Sequence, residues 1–477
     1  MNADTILPCA NCQRLQAEVD ALRARLAALE ATVEQLQKQL AAARKNSSNS
    51  SKPPSSDIVK PPRPQPPDGQ PRRKPGGQPG HPSHQRELFP PEMLDSAPTD
   101  YVLNACPTCG GHLGVIDAEP TIVVQQVDIT APPLVIHEHR SHPGWCAHCR
   151  KTHYAPLPTF IERGGLVGPR LTTIIAYLKG VCHASFSTIR KFVRDVIGLT
   201  ISRGQLSKII GKVSRALEQP YDDLLGHLPD EDFLNVDETG HKQNGQRQWT
   251  WCFRAELFTL FKIDPTRSGD VLIEVLGTEF NGVLGCDYFS AYRRYHREFG
   301  VALQFCLAHL IRDVKFLTTL ADARDRAYGE RLLDGLRSLF AVIHRREELS
   351  ERDFQGQLEA ALARMMRLGT WDVPATRASL NLAKRFEAHG ESYFRFITTP
   401  GVGPTNNLAE QAIRFVVIDR LITQGTRSER GNRWCERIWT VLATCQQQGR
   451  SVFGYLEAAV SAWFVEGEAP SLLPQET

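Results

Sequence analysis

The sequence lacks the features of a membrane or secreted protein. No apolar run approaches the roughly 20 residues that span a bilayer. The first residues, MNADTILPCANCQRL, have neither the basic start nor the apolar stretch of a secretory signal. The chain of 477 residues is also far larger than the secreted domains that carry disulfide frameworks, so its twelve cysteines indicate metal before disulfides. We therefore expect a soluble, cytoplasmic protein with no membrane partner.

The chain as a whole also has little excess charge, since its formal net charge is only +3. The charge is unevenly distributed, because residues 44–86 carry nine Lys or Arg and two Asp. Within this stretch, residues 46–86 are rich in Pro, Ser and Gly and nearly free of large apolar residues, which predicts a segment that is disordered by itself. It is either a solvated spacer or a basic arm on DNA, with Arg72, Arg73 and Lys74 at phosphates or in a minor groove.

A heptad repeat of apolar residues lies near the start of the sequence. Apolar residues step by alternating four and three positions without a break, and residues 13–45 are predicted to form a coiled coil. A strict period of 3.5 over four heptads favours this over a helix packed on its own domain. Leu at every d position favours a parallel pair, so we expect a homodimer or higher oligomer. The repeat consists of Leu15, Val19, Leu22, Leu26, Leu29, Val33, Leu36 and Leu40.

Two Cys-x-x-Cys pairs lie within residues 98–160, at Cys106 and Cys109 and at Cys146 and Cys149. Four thiolates in two pairs suit one structural Zn²⁺ in tetrahedral geometry. The intervening residues alternate as strands do, which predicts a zinc ribbon. The alternative is four free thiols in a β-subdomain.

Residues 165–218 read as three helices, with Ser185 and Ser202 as N-caps. This pattern predicts a helix-turn-helix whose last helix enters a DNA major groove. A three-helix packing unit without DNA is the alternative. The side chains predicted to contact DNA from the last helix are Arg203, Gln205 and Lys208.

From Phe233 the pattern changes to three strands, a helix, a strand, a helix and a strand, which is the ribonuclease-H-like order. Asp237 and Asp287 are predicted at or just past strand ends, where two carboxylates can share a divalent cation. A third carboxylate is needed to hold two Mg²⁺ ions. Glu410 is the candidate, in a helix that starts near Thr405 or Asn406, although a Glu in a first helical turn can also be a surface residue.

Four ordered motifs, VDETGHKQNGQRQWTW, GCDYFSAYRRY, CLAHLIRDVKF and PTNNLAEQAIR, resemble the transposases of the insertion sequence 66 family, as do the heptads, the GGQPGH stretch and the cysteine pairs. The resemblance covers roughly Leu15 to Leu456. It implies that Asp237, Asp287 and Glu410 are a catalytic triad that binds two Mg²⁺ or Mn²⁺ ions.

The resemblance also fixes the expected organisation of the second half. A ribonuclease-H-like domain is expected over 230–460, interrupted by an all-helical insertion at about 318–397 and followed by a tail at 461–477. With the coiled coil, ribbon and helix-turn-helix, the predicted fold class is α+β multidomain.

Several residues are expected near the triad or on DNA. His309 of the Cys-x-x-His pair is predicted beside the triad or at DNA, although a helix-capping His is the alternative. Asn407 and Arg414 share one face of the Glu410 helix. Many relatives have Arg-Lys-Asn after the glutamate helix, whereas this sequence has IDRLITQGTRSERGN. The region stays basic, but the specific roles of the Arg-Lys-Asn residues do not carry over. The basic residues expected at DNA there are Arg427, Arg430 and Arg433.

The function predicted from these features is cleavage and strand transfer of an insertion sequence in bacteria, on the nucleoid, with element ends and target DNA as substrates and accessory proteins of the element as further partners. One alternative is a nuclease without strand transfer, against which the long DNA-binding front end argues. The other is a domesticated DNA-binding protein, against which the retained carboxylates argue.

Overall fold

A computed structural model of the protein describes residues 10–43, 88, 90–93, 108–110, 134–146 and 148–473. The chain divides into two compact units: residues 1–61, 139–194 and 200–477 form the larger, and residues 62–138 and 195–199 form the smaller. The basic segment with Arg72, Arg73 and Lys74, and the first cysteine of the ribbon, Cys106, lie outside the described residues.

The described part of the larger unit begins with a helix and a hairpin, followed by five helices. Their bounds are α1 Ala10–Ala43, β1 Pro143–Cys146, β2 Lys151–Tyr154, α2 Thr159–Gly164, α3 Pro169–Gly180, α4 Phe186–Phe192, α5 Arg203–Ala216 and α6 Glu218–His227. Next come β3 Phe233–Gln243, β4 Gln246–Arg254, β5 Thr259–Asp264, α7 Asp270–Leu276, β6 Val283–Cys286, α8 Ser290–Phe299, β7 Ala302–Phe305 and α9 Leu307–Leu317. The last helices are α10 Ala323–His344, α11 Glu351–Thr370, α12 Arg377–Thr398, α13 Asn407–Thr423, α14 Glu429–Gln447 and α15 Val452–Phe464.

Strands β3 to β7 form one mixed sheet in the order β5-β4-β3-β6-β7. The first three strands are an antiparallel meander, and β6 and β7 are added in parallel through α7 and α8. The alternation of strands and helices agrees with the sequence prediction. One detail of that prediction is wrong, because Asp237 lies in the middle of β3 and not at its end. The strand continues past Asp237 because its hairpin with β4 extends to Gln243, whereas its parallel pairing with β6 stops at Asn235.

One edge strand of the sheet, β5, is covered by α14. An exposed edge strand leaves backbone N–H groups unpaired and open to other chains. Here side chains one helical turn apart on α14 accept those N–H groups, at 3.1, 3.0 and 2.6 Å. Thr259 donates to Thr444, Phe261 to Thr440 and Ile263 to Glu436.

Three helices, α3, α4 and α5, occupy the stretch predicted as a helix-turn-helix. The predicted N-caps are confirmed: the Ser185 hydroxyl accepts the Thr188 N–H at 3.0 Å, and the Ser202 hydroxyl accepts the Gln205 N–H at 3.1 Å. The chain turns before α5 at Gly198, whose φ of +85° suits glycine. Helix α5 buries an apolar face against α3 and α14.

The heptad segment is one continuous helix, α1. Its Leu and Val residues at the a and d positions are exposed, from 40% for Val19 to 62% for Leu22. A single chain therefore leaves an apolar stripe uncovered along this helix. The stretch predicted as a helical insertion is helical, as α10, α11 and α12. Among the described residues, no helix is long and apolar enough to cross a bilayer.

The covered edge gives the first prediction, which concerns Glu436. This carboxyl is fully buried, and burial is the main reason that its pKa is raised to about 7, against the nearby charge of Arg433 and the Ile263 N–H. The pKa of Glu436 is higher in the folded state than in the unfolded state. The contribution of Glu436 to the free energy of unfolding is therefore fully present below about pH 4.5 and is lost as the pH rises through about 7.

Glu436→Gln keeps an oxygen for the Ile263 N–H and cannot ionise. Its unfolding free energy relative to wild type should rise by up to about 3 kcal/mol between pH 5 and pH 8, a shift of a few degrees in Tm. Thermal unfolding at both pH values measures this. Glu429→Gln, an exposed change on the same helix, is the control, and an equal pH dependence in both variants would contradict the assignment.

Candidate active site

The register of two parallel strands brings Asp237 and Asp287 together. Asn235 of β3 pairs with Gly285 of β6, and each aspartate follows two residues after this last pair. The two are close enough for the charge of Asp287 to act on Asp237. Gly285 permits this approach, because a Cβ there would lie 3.0 Å from the Asn235 Oδ1. Both aspartates are partly exposed at this edge of the pairing. The loop after β6 is held by Asp287 itself, whose Oδ1 accepts the Phe289 N–H at 2.8 Å.

Glu410 reaches the same place from α13. Asn406, at the N-cap of that helix, donates from its side-chain amide to the Val236 carbonyl at 2.9 Å. Its backbone N–H donates to the Cys306 Sγ at 3.2 Å. The start of α13 is thus fixed to the residue before Asp237 and to the start of α9. Glu410 follows one turn later, and its N–H bonds the Asn406 carbonyl.

The electrostatics of Asp237 show that these carboxylates act on one another. Its pKa is raised well above the usual value, first by burial and then by the negative charges of Glu238, Asp287 and Glu410, against the hydrogen bond from the Glu238 N–H. Like charges in one partly buried place repel, and a divalent cation removes this cost. In addition, the Glu410 Oε1 is buried and has no hydrogen-bond partner among the described residues. The site therefore fits a bound cation.

His309 lies beside Glu410, in the first turn of α9. Its Nδ1 is 3.7 Å from the Glu410 Oε1. Burial alone would lower the pKa of His309, but its hydrogen bond with Cys306 and the charges of Cys306 and Glu410 raise it. For Cys306 burial acts to raise the pKa, yet the hydrogen bonds with His309 and the Asn406 N–H lower it. Cys306 and His309 also face, with Asp287, a cavity of about 250 Å³.

Sequence reasoning missed a supporting group behind the site, built on Glu238. This carboxylate is buried on the opposite side of β3 and accepts hydrogen bonds from Arg267, at 2.7 Å from its Nε, and from the Tyr292 hydroxyl. The Arg267 guanidinium also lies 3.8 Å from the centre of the Phe289 ring. Arg267 therefore ties β3 to the loop that carries Asp287. The acidic pair in VDETG was the available signal, but one sequence does not show which member faces the core.

The remaining predicted residues have exposed or partly exposed side chains. Asn407 and Arg414 are exposed on α13. Arg203 and Lys208 are exposed on α5, and Gln205 is partly exposed.

The basic residues Arg427, Arg430 and Arg433 line a separate cavity of about 460 Å³, together with Lys179 and Arg215. This cavity is found at the far end of β3, where Gln243 pairs with Thr426, roughly 20 Å along the strand from Asp237 at about 3.3 Å per residue. Gly211 of α5 also lines this cavity. A Cβ at this position would lie 2.8 Å from the Arg430 guanidinium. Arg433 is paired with Glu436 at 2.8 Å.

The ribbon cysteines are described only in part. Cys146 ends β1, and Cys149 lies in the turn that joins β1 to β2. Cys109 lies in an exposed turn. A short turn between the cysteines of one pair is compatible with a zinc knuckle.

Comparison with known families identifies the class of protein. Residues 164–433 match the family described as Transposase IS66 family. This match covers more than half of the chain, includes all three carboxylates, and agrees with the resemblance stated from the motifs. The chain belongs to the Transposase IS66 family and has the role of a transposase, a DNA-processing enzyme.

Residues 6–87 match a second family, one of unknown function (DUF6444). That match covers the heptad helix and the basic segment. Comparison with the curated proteins found no match.

The repulsion among the carboxylates generates a prediction for Asp237→Asn. In the absence of divalent cations this variant should be more stable than wild type by about 1 kcal/mol or more and should unfold at a higher temperature, because it removes a partly buried charge that its neighbours disfavour. Added Mg²⁺ should raise the Tm of the wild type and leave that of the variant nearly unchanged.

Thermal melts with a chelator and with Mg²⁺ measure both effects. Asp334→Asn, on the exposed surface of α10, is the matched control and should behave as wild type in both conditions. A variant that loses stability without cations, or that still responds to Mg²⁺ as wild type does, would argue against a shared carboxylate site.

Proposed function

We propose that Asp237, Asp287 and Glu410 are the catalytic triad of a ribonuclease-H-like domain. The observation that carries the proposal is the joint placement of the three: the β3–β6 register sets the aspartates side by side, and the bond from Asn406 to Val236 directs α13 to them. The effects of Asp287 and Glu410 on the pKa of Asp237 support their proximity.

The three carboxylates would hold two Mg²⁺ or Mn²⁺ ions. When bound, the ions supply an activated oxygen nucleophile and stabilise the leaving 3′-oxygen. The protein residues hold the site in place: Asn406 fixes the start of α13, and Arg267 fixes the loop after β6.

The reaction proposed on this site has two steps. Water attacks a phosphodiester at the element end, the P–O3′ bond breaks, and a free 3′-hydroxyl and a 5′-phosphate result. That 3′-hydroxyl then attacks a phosphodiester of the target DNA, so a new P–O bond forms as a target 3′-oxygen leaves. In each step one oxygen on phosphorus is replaced by another, from water in the first step and from the 3′-hydroxyl in the second, so no oxidant or energy source is needed.

Three basic surfaces are proposed to hold the DNA. Arg203, Gln205 and Lys208 at the exposed start of α5 suit a major groove, and the segment of Arg72, Arg73 and Lys74 suits phosphates. The third surface is the basic cleft, which we define as the cavity of Arg427, Arg430 and Arg433 with Lys179 and Arg215. Its charge and its distance from the triad favour the DNA backbone outside the reacting phosphate.

Self-association is proposed through α1, since its apolar stripe is uncovered in one chain and a second copy would bury it. One Zn²⁺ is proposed at Cys106, Cys109, Cys146 and Cys149. Accessory proteins of the same element remain further proposed partners.

The triad is tested by replacing each carboxylate with alanine. Asp237→Ala, Asp287→Ala and Glu410→Ala should each abolish cleavage of a duplex that carries the element end, in Mg²⁺, while DNA affinity changes little. Glu429→Ala, an exposed change on α14, should cleave as wild type does. Wild-type cleavage by any triad variant would remove that residue from the triad. Cleavage without joining to a target duplex in the wild type would favour a nuclease over a transposase.

The basic cleft is tested by the salt dependence of DNA binding. Arg427→Gln with Arg430→Gln should flatten the slope of log affinity against log salt by about 2 units, because two phosphate contacts no longer release counterions. The preference for the element end over random duplex should not change, since phosphate contacts position DNA without specifying sequence.

Arg364→Gln with Arg377→Gln is the matched control, because both arginines are exposed on the helical insertion. Titrations of specific and random duplex over a range of salt provide the slopes. Equal slopes for the cleft variant and wild type would show that the cleft holds no phosphate.

A further inference from the structure

A second group of potential metal ligands overlaps the triad at Glu410. The Cys306 Sγ, a ring nitrogen of His309 and a carboxylate oxygen of Glu410 all lie within 4.8 Å of one another. Cys306 is the residue at the N-cap position of α9 and His309 lies three residues later in its first turn, so the two residues share one end of that helix. Glu410 arrives from α13, which is bound to Cys306 through the Asn406 N–H.

Two polar atoms of this group are buried without a hydrogen bond. The His309 Nδ1 and the Glu410 Oε1 have no partner among the described residues, although burial of an unpaired polar atom is costly. They lie 3.7 Å apart, which is too far for a hydrogen bond. Two ligands bonded at about 2.0–2.1 Å to one tetrahedral ion lie about 3.4 Å apart. A small ion between them would satisfy both atoms.

The chemistry of the three ligands selects the ion. A thiolate and an imidazole favour Zn²⁺, whereas Mg²⁺ takes oxygen ligands. Three protein ligands leave a fourth position of a tetrahedral ion open. Cys306 and His309 line the same cavity as Asp287, so this position faces the candidate active site.

The geometry points to a Zn²⁺ site formed by Cys306, His309 and Glu410, which inhibits DNA cleavage when it is occupied. The inhibitory part rests on the proposed function, in which Glu410 belongs to the Mg²⁺ site. A Glu410 oxygen that is bonded to zinc beside His309 is no longer available to the ions held by Asp237 and Asp287. Free zinc would thereby regulate the enzyme through one of its own catalytic residues.

Metal content tests the site without any measurement of activity. Full-length protein is equilibrated with Zn²⁺, freed of excess metal and analysed for zinc per chain. Wild type should hold about one zinc more than Cys306→Ser, because the variant loses the thiolate ligand. Cys445→Ser, which changes another buried cysteine, should equal wild type. Any zinc of the ribbon is common to all three proteins and cancels in the comparison.

Co²⁺ substitution identifies the ligands. The sulfur-to-cobalt charge-transfer absorption should decrease in Cys306→Ser, and the ligand-field bands should change in Glu410→Gln and His309→Gln. If Cys306→Ser does not fold, as judged by its thermal melt, the His309→Gln and Glu410→Gln variants decide the question. Equal zinc content and equal cobalt spectra in wild type and the folded variants would overturn the site.

Inhibition is tested separately. Added Zn²⁺ should suppress Mg²⁺-supported cleavage by wild type, and the ratio of cleavage with and without zinc should move toward one in Cys306→Ser. Zinc bound at the site with no effect on this ratio would overturn the inhibitory role. Absence of cleavage in all conditions would contradict the proposed function and leave the metal-content result standing.

Discussion

The parallel pairing of β3 with β6 is the constraint on which the site depends. It sets two aspartates side by side in a partly buried place, where their charges repel. Contacts around the pair hold the two aspartates in place despite this repulsion. Gly285 allows the strands to approach, and the bond between Glu238 and Arg267 holds the loop beyond β6. Burial first, and then the neighbouring negative charges, raise the pKa of Asp237, and a bound cation would offset both effects.

The third carboxylate reaches this pair across a long stretch of sequence. Between Asp287 and Glu410 lie the strand β7 and five helices, α8 to α12. Because loop-closure entropy grows only slowly with length, a folded insertion of this size need not weaken the site, provided that its end is fixed. Asn406 supplies that fixation through its bonds to the Val236 carbonyl and the Cys306 Sγ.

Much of this arrangement could be predicted from the sequence, because it depends on local patterns. Alternating apolar residues gave the order of strands and helices, and the serine caps of α4 and α5 followed from their sequence context. The exact position of Asp237 within β3 could not be obtained this way, since the length of the strand is set by its hairpin with β4. The coverage of β5 by Thr440, Thr444 and Glu436 could not be predicted from the sequence either. It joins residues more than 170 positions apart, and in isolation α14 reads only as a helix with polar residues. Likewise, the basic character of Arg427 and Arg430 was evident, but their distance from the triad required the fold.

The central claim is that Asp237, Asp287 and Glu410 share one cation site, and cleavage of the protein by bound Fe²⁺ tests it most directly. Fe²⁺ with ascorbate and peroxide generates hydroxyl radicals at the metal, which cut the nearest polypeptide backbone. We expect cuts near all three residues, which are far apart in sequence, and we expect excess Mg²⁺ to suppress them together. Cuts near the two aspartates without any near Glu410, or cuts at all three that Mg²⁺ does not suppress, would contradict a shared site.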